Sequence, residues 1–201
     1  MNASNTPRFN PFPGLRPFRS DEHHLFFGRE EQTAALLQLL RTNRFLAVVG
    51  TSGSGKSSLV RAGMISGLHS GVMTQAGSTW EVVLLRPGGS PIENIAQALI
   101  DADLYDAEDP NTIPRLRATL SRSRFGLVEA IKQSDVIEPG TNLLIVIDQF
   151  EEIFRFRQQG VDSQEAAAAF VNLLLAASAQ AECPIYVAIT MRSDYLGDCS
   201  E

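Results

Sequence analysis

The sequence predicts an α/β fold, a parallel sheet enclosed between two helical layers in a three-layer sandwich. Four short apolar runs, at residues 45–49, 81–85, 143–148 and 184–190, alternate with segments whose apolar residues recur at helical spacing. Each run is too short for an ordinary helix and is bounded by glycine, proline or a lone polar residue, as expected of buried strands. A chain of 201 residues with 44% hydrophobic content can bury one full core.

The elements follow in order. Residues 7–19 contain four prolines, which remove backbone donors and restrict φ, so they form an extended leader rather than a helix or central strand. Residues 29–41 place Ala34, Leu36, Leu37, Leu39 and Leu40 on a helical face, with Glu30 and Glu31 in the first turn, where the helix dipole favours them. The run 45–49 ends at Gly50 and reads as a strand covered on both faces. Residues 57–68 carry Leu59, Val60, Met64, Ile65 and Leu68 at helical spacing. A second strand over 81–85 is stopped by Arg86-Pro87-Gly88-Gly89, and Pro91 suits the first turn of a helix over 92–104. Helical pattern resumes over 111–133 with a break near Gly126. The most apolar run leads into Asp148, an alanine-rich helix spans 163–181, and a fourth strand covers 184–190.

Bulk charge narrows the function classes. A net charge of −6 and a pI near 5.1 give no general attraction to nucleic acid or anionic lipid, which makes a nucleic-acid partner unlikely on composition. Two cysteines are too few for a disulfide framework and suit a reducing compartment. No apolar run approaches the roughly 18 residues that span a bilayer, and the first residues lack a secretory signal. A cytoplasmic protein without a membrane partner is expected.

The chemistry concentrates in Gly50-Thr51-Ser52-Gly53-Ser54-Gly55-Lys56-Ser57, followed by Ser58. A polyphosphate needs several inward-pointing donors around a compact anion, and glycines let the backbone approach closely and adopt positive φ. The following helix offers its unpaired amides and positive dipole end. Lys56 then reaches the β- and γ-phosphates of a nucleotide, most readily ATP, and the Ser57 hydroxyl ligates Mg²⁺. This is the P-loop pattern, and its place between strand and helix is the context it requires.

Asp148 ends the most apolar strand, at the sheet edge where α/β ligands bind, and is the expected second acid of the metal site. In Gln149-Phe150-Glu151-Glu152 a carboxylate can orient the attacking water. Glu152 is placed first and Glu151 second, and local pattern does not choose between them; both also suit a solvated first helical turn. Arg192, after the fourth strand, can report the third phosphate through its planar guanidinium or form a surface ion pair with Asp194.

The chain resembles the STAND class of signalling ATPases, and within it the novel STAND NTPase type one domain. The resemblance is carried by Pro11-Phe12-Pro13-Gly14-Leu15-Arg16-Pro17-Phe18, Leu25-Phe26-Phe27-Gly28-Arg29-Glu30, the P-loop, Asp148-Gln149-Phe150-Glu151-Glu152 and Met191-Arg192-Ser193-Asp194. It implies adenine contact for Phe27, Gly28 and Arg29, so that residues 1–28 form a leader contributing to the nucleotide site of a core over 29–201. It also implies the sheet of additional-strand, conserved-glutamate ATPases, with the fourth strand between the P-loop strand and the Asp148 strand. Proteins similar to this one continue beyond the fourth strand into helical arms and sensor or repeat domains, so the chain is read as a truncated piece of a larger protein that self-associates when ATP-bound. Three functions are weighed: a slow ATPase switch in signalling or defence, a non-hydrolysing nucleotide-dependent scaffold, and a nucleic-acid-dependent initiator-like ATPase.

Overall fold

The computed structural model describes residues 11–71, 79–134, 137–138 and 140–200. Residues 7–10 of the expected leader lie outside them. The α/β expectation is met by a four-stranded parallel sheet of β1 (Phe45–Gly50), β2 (Trp80–Leu85), β3 (Asn142–Ile147) and β4 (Ile185–Arg192), in the order β1-β4-β3-β2. The fourth strand therefore lies between β1 and β3. Register sets what the sheet edge presents: Val48 pairs with Thr190, Gly50 with Arg192, and Leu85 with Ile147. Parallel strands in this register deliver the ends of β1, β2, β3 and β4 to one side of the molecule.

One face of the sheet carries α1 (Glu30–Thr42) and the helix after β1. That helix is built from α2 (Lys56–Ser58), a π-wound segment (Leu59–Ile65) and α3 (Ser66–His69). Leu37, Leu40, Val60, Met64 and Leu68 bury their side chains against Leu46, Val48, Leu144 and Val146. The other face carries α4 (Pro91–Asp101), α5 (Thr112–Arg122), α6 (Gly126–Gln133), α7 (Glu152–Arg157) and α8 (Val161–Ala179). There Leu99, Leu127, Phe170 and Leu173 pack on Ile145, Ile147 and Val187. Each such fully buried apolar side chain contributes about 1.5–3 kcal/mol, so β3, buried on both faces along its whole length, is the most firmly held strand. Among the described residues, no helix is long and apolar enough to cross a membrane.

Several boundaries differ from the sequence reading, each for a local reason. β1 is covered on one face only: Leu46 and Val48 are buried while Ala47 and Val49 are exposed, and β1 is an edge strand that pairs with β4 alone among the described residues. The leader is not extended throughout, since residues Ser20–Leu25 form a 3₁₀ helix. Its start is held by the Arg19 amide, which donates to Glu22 Oε2 at 3.0 Å. α4 ends at Asp101, short of Leu104, as the chain turns through Asp103 at φ 56°. The break before α6 is where Gly126 was expected to interrupt the helix, and a Cβ there would lie 2.4 Å from the Thr119 carbonyl oxygen.

Candidate functional site

After β1 the chain turns through residues 51–55 before entering α2. Gly53 and Gly55 adopt φ of 74° and 83°, a left-handed conformation that side-chain-bearing residues rarely hold. Gly55 is also the residue from which α2 starts, so its geometry aims the free amides of that helix into the turn. The Lys56 ammonium curls back over the loop and donates to the carbonyl oxygens of Gly50 at 2.9 Å and Thr51 at 2.8 Å. An ammonium has three hydrogens, and these two bonds hold it at the centre of the turn.

The carboxylate of Asp148 is brought to the same place from β3. It is 1% exposed and sits at the start of a tight turn whose next residue, Gln149, has φ of 60°. Its Oδ1 accepts from Ser57 Oγ at 2.6 Å and from Thr190 Oγ1 at 2.7 Å, and its Oδ2 accepts from Arg61 Nη2 at 2.8 Å. A second guanidinium, that of Arg86 at the end of β2, lies 4.0 Å from Oδ2. Burial pushes this carboxyl up, but the three hydrogen bonds and the Arg61 charge outweigh it and hold the group below its ordinary range.

The donor set fits a hard divalent cation. Ser57 spends its hydrogen on Asp148, leaving its lone pairs free to meet a metal beside an ionised carboxylate. Magnesium takes one or two such protein oxygens and leaves its other positions to water and phosphate.

Around this pair lies a cleft of about 640 Å³ lined by Lys56, Ser57, Ser58, Arg86, Glu151, Thr190 and Arg192, and by Ser52, Gly53 and Gly55 of the turn. The leader closes its other side with Gly14, Leu15, Arg16 and Pro17. Arg16 is held by Glu22 at 2.6 Å and Arg192 by Asp194 at 3.0 Å, while four cationic side chains, Arg16, Lys56, Arg86 and Arg192, line the cleft with one carboxylate, Glu151, in a chain whose net charge is −6. Such a concentration of positive charge against the overall balance suits a polyanion.

The Novel STAND NTPase 1 family model matches residues 11–201. The chain belongs to that family. No curated protein matches it.

In this STAND NTPase domain the two candidate acids separate. Glu151 is buried and lines the cleft, with its Oε2 3.4 Å from the Arg192 amide. Glu152, in the first turn of α7, accepts from the Gly88 amide at 3.0 Å and so braces the loop after β2. Arg192 is the last residue of β4 and lines the cleft, yet its guanidinium is engaged by Asp194 through Nε at 3.0 Å and Nη2 at 2.5 Å. That exposed pair raises the Arg192 pKa through the Asp194 hydrogen bond and charge.

Within the leader, the structure brings some residues to this cleft and leaves others away from it. Phe27 is 77% exposed, and neither it nor Gly28, whose amide donates to Glu30 Oε1 at 2.9 Å, lines the P-loop cleft. Arg29 reaches the turn itself, where Nη2 meets the Ser54 carbonyl at 3.4 Å. It also lines, with Phe26, Thr33, Ala62, Gly63 and Ser66, a separate cavity of about 520 Å³ between α1 and the P-loop helix. The leader docks through the Phe18 amide, which donates to Ser58 Oγ at 3.2 Å, and through Ser66 Oγ, which donates to the Ser20 carbonyl at 2.9 Å.

Three side chains around Asp148 escaped the sequence reading: Arg61, Arg86 and Thr190. Thr190 carried a usable signal, a hydroxyl in an otherwise apolar strand, which must find a partner when buried. Arg86 sits at a strand end, the position used for Asp148. Arg61 follows Ser57 by four residues, a spacing that shares one helix face and is the signal that could have found it.

Proposed function

We propose that this chain is the nucleotide-binding switch domain of a STAND-type signalling or defence protein, that it binds ATP with Mg²⁺, and that it hydrolyses the nucleotide slowly. The observation that carries the reading is the 2.6 Å contact between Ser57 Oγ and Asp148 Oδ1 beside the Lys56 ammonium. Residues 91 positions apart meet there, one from the start of the P-loop helix and one from the end of β3. The family match supports the nucleotide reading, and the sheet order β1-β4-β3-β2 supports the additional-strand type of core.

In this reading the turn from Gly50 to Gly55 cradles the β-phosphate with main-chain amides, and Lys56 exchanges its carbonyl partners for β- and γ-phosphate oxygens. Magnesium, when bound, neutralises charge on the phosphate oxygens during transfer to water. Ser57 and Asp148 hold the place for it. Glu151 is the carboxylate positioned to orient the attacking water, since it faces the cleft and Glu152 is committed to Gly88. Arg192 serves as the sensor of the third phosphate by leaving Asp194 for it, a swap that carries the nucleotide state to the segment after β4. Self-association in the ATP state, and sensor domains elsewhere in the full protein, complete the proposed switch; its place is the cytoplasm.

Steady-state phosphate release by the full-length protein tests the hydrolytic part. Glu151→Gln is expected to lower turnover by about a hundredfold or more with ATP binding retained, within the 10²–10⁴ that a positioned base supplies. Glu152→Gln is expected to retain most of it. Unchanged turnover in Glu151→Gln contradicts the assignment, and no turnover in the unmodified protein favours a nucleotide-dependent scaffold.

A further inference from the structure

Asp148 meets two guanidinium groups, with an ammonium in the cleft beside them. Arg61 reaches its Oδ2 at 2.8 Å, Arg86 stands at 4.0 Å from the same oxygen, and Lys56 faces the cleft beside them. Arg61 comes from the π-wound segment of the P-loop helix, four residues after Ser57. Residues four apart share one face of a helix, so Ser57 and Arg61 both address Asp148, one at each oxygen. The arrangement is held at a cost: Arg61 Nε is buried without a hydrogen-bond partner while Nη2 meets the carboxylate. A surface arginine that had drifted onto a nearby acid would keep Nε in water.

We propose that Arg61 is a positioning residue that makes metal binding conditional on the polyphosphate. Its guanidinium turns the Asp148 carboxylate so that Oδ1 faces Ser57, and its charge cancels that of the carboxylate. A bare divalent cation then finds no net negative charge at the site and meets Lys56 and Arg86 nearby. A triphosphate reverses the balance, and the metal arrives with it or after it. This inference rests on the nucleotide-binding reading, and it adds the order of binding and the residue that enforces it.

The test uses Mn²⁺ as the probe, because its binding is read by electron paramagnetic resonance and it accepts the same oxygen ligands as magnesium. Mn²⁺ is titrated into the unmodified protein, Arg61→Met and Arg61→Lys, each with and without ATP, at constant ionic strength, with folding checked by circular dichroism. Without ATP, Arg61→Met is expected to bind Mn²⁺ at least about tenfold more tightly than the unmodified protein, since one unit charge this close at an effective dielectric constant of about 20 exceeds a decade of affinity. Arg61→Lys keeps the charge and is expected to follow the unmodified protein. Equal or weaker Mn²⁺ binding by Arg61→Met overturns the proposal. So does tight Mn²⁺ binding by the unmodified protein without ATP, a result that needs no variant to fold. Failure of the unmodified protein to bind ATP with either metal instead contradicts the nucleotide reading, and the ATP-free comparison separates the two.

Discussion

At the scale of single residues, the site is organised around one buried carboxylate with a defined set of donors. Thr190 is the least conspicuous of them and works twice: its hydroxyl donates to Asp148 Oδ1 at 2.7 Å and accepts from the Gln149 amide at 3.0 Å. Thr190→Val keeps the shape and removes both bonds, leaving the Gln149 amide without its partner. A loss of about 1–3 kcal/mol is expected in urea denaturation, the usual cost of an unsatisfied buried group. The pH dependence follows from the sign of the Asp148 shift. Its folded pKa lies below the ordinary value of 3.8, so the stability it contributes is complete above that value and is lost as pH falls through the lower, folded one. Thr190→Val narrows this window, and its acid transition is expected at higher pH than that of the unmodified chain. Coincident acid transitions contradict the proposed hydrogen-bond network.

At the scale of elements, apolar runs located all four strands because a buried parallel strand leaves a continuous apolar signature wherever it occurs in the chain. β3 was legible for this reason, and so was the acid that ends it. β1 shows the limit of that signal, since the run 45–49 is apolar throughout yet only Leu46 and Val48 are buried. Which face is covered depends on where the helices pack, and a single strand does not encode its own neighbours. The π winding of Leu59–Ile65 was invisible for a related reason, as its apolar positions satisfy helical spacing under either winding. The site followed the same division. Local pattern placed Lys56, Ser57 and Asp148 at strand and helix ends that do meet, whereas the different surroundings of Glu151, in the cleft, and Glu152, on the Gly88 amide, depend on another part of the chain. The corner between α5 and α6 offers a direct check on the packing. A Cβ at Gly126 would stand 2.4 Å from the Thr119 oxygen and 2.7 Å from the Leu120 oxygen, both main-chain atoms with little room to retreat. Gly126→Ala is therefore expected to destabilise the chain by about 1–3 kcal/mol in thermal or urea unfolding, the range seen for overpacking. A neutral substitution contradicts the placement of that corner.

At the scale of the whole molecule, parallel strands in common register bring the turn after β1, Arg86 after β2, Asp148 after β3 and Arg192 at the end of β4 to one side of the sheet. The leader, tied to the P-loop helix at Ser58 and Ser66, forms the opposite wall. An acidic chain thereby gathers four cationic side chains at one cleft, two of them held by Glu22 and Asp194. The arrangement explains why no single residue defines the site: the turn supplies amides, the sheet edge supplies the acid, and the helix supplies the lysine and hydroxyl. Calorimetric titration of ATP with Mg²⁺ into the unmodified chain and into Lys56→Ala addresses this directly. The account predicts saturable binding by the unmodified chain and an affinity about tenfold to a hundredfold weaker in Lys56→Ala, the worth of one charge-assisted contact. Equal affinity in the two proteins, with both folded, would show that the nucleotide does not rest on the turn between β1 and α2.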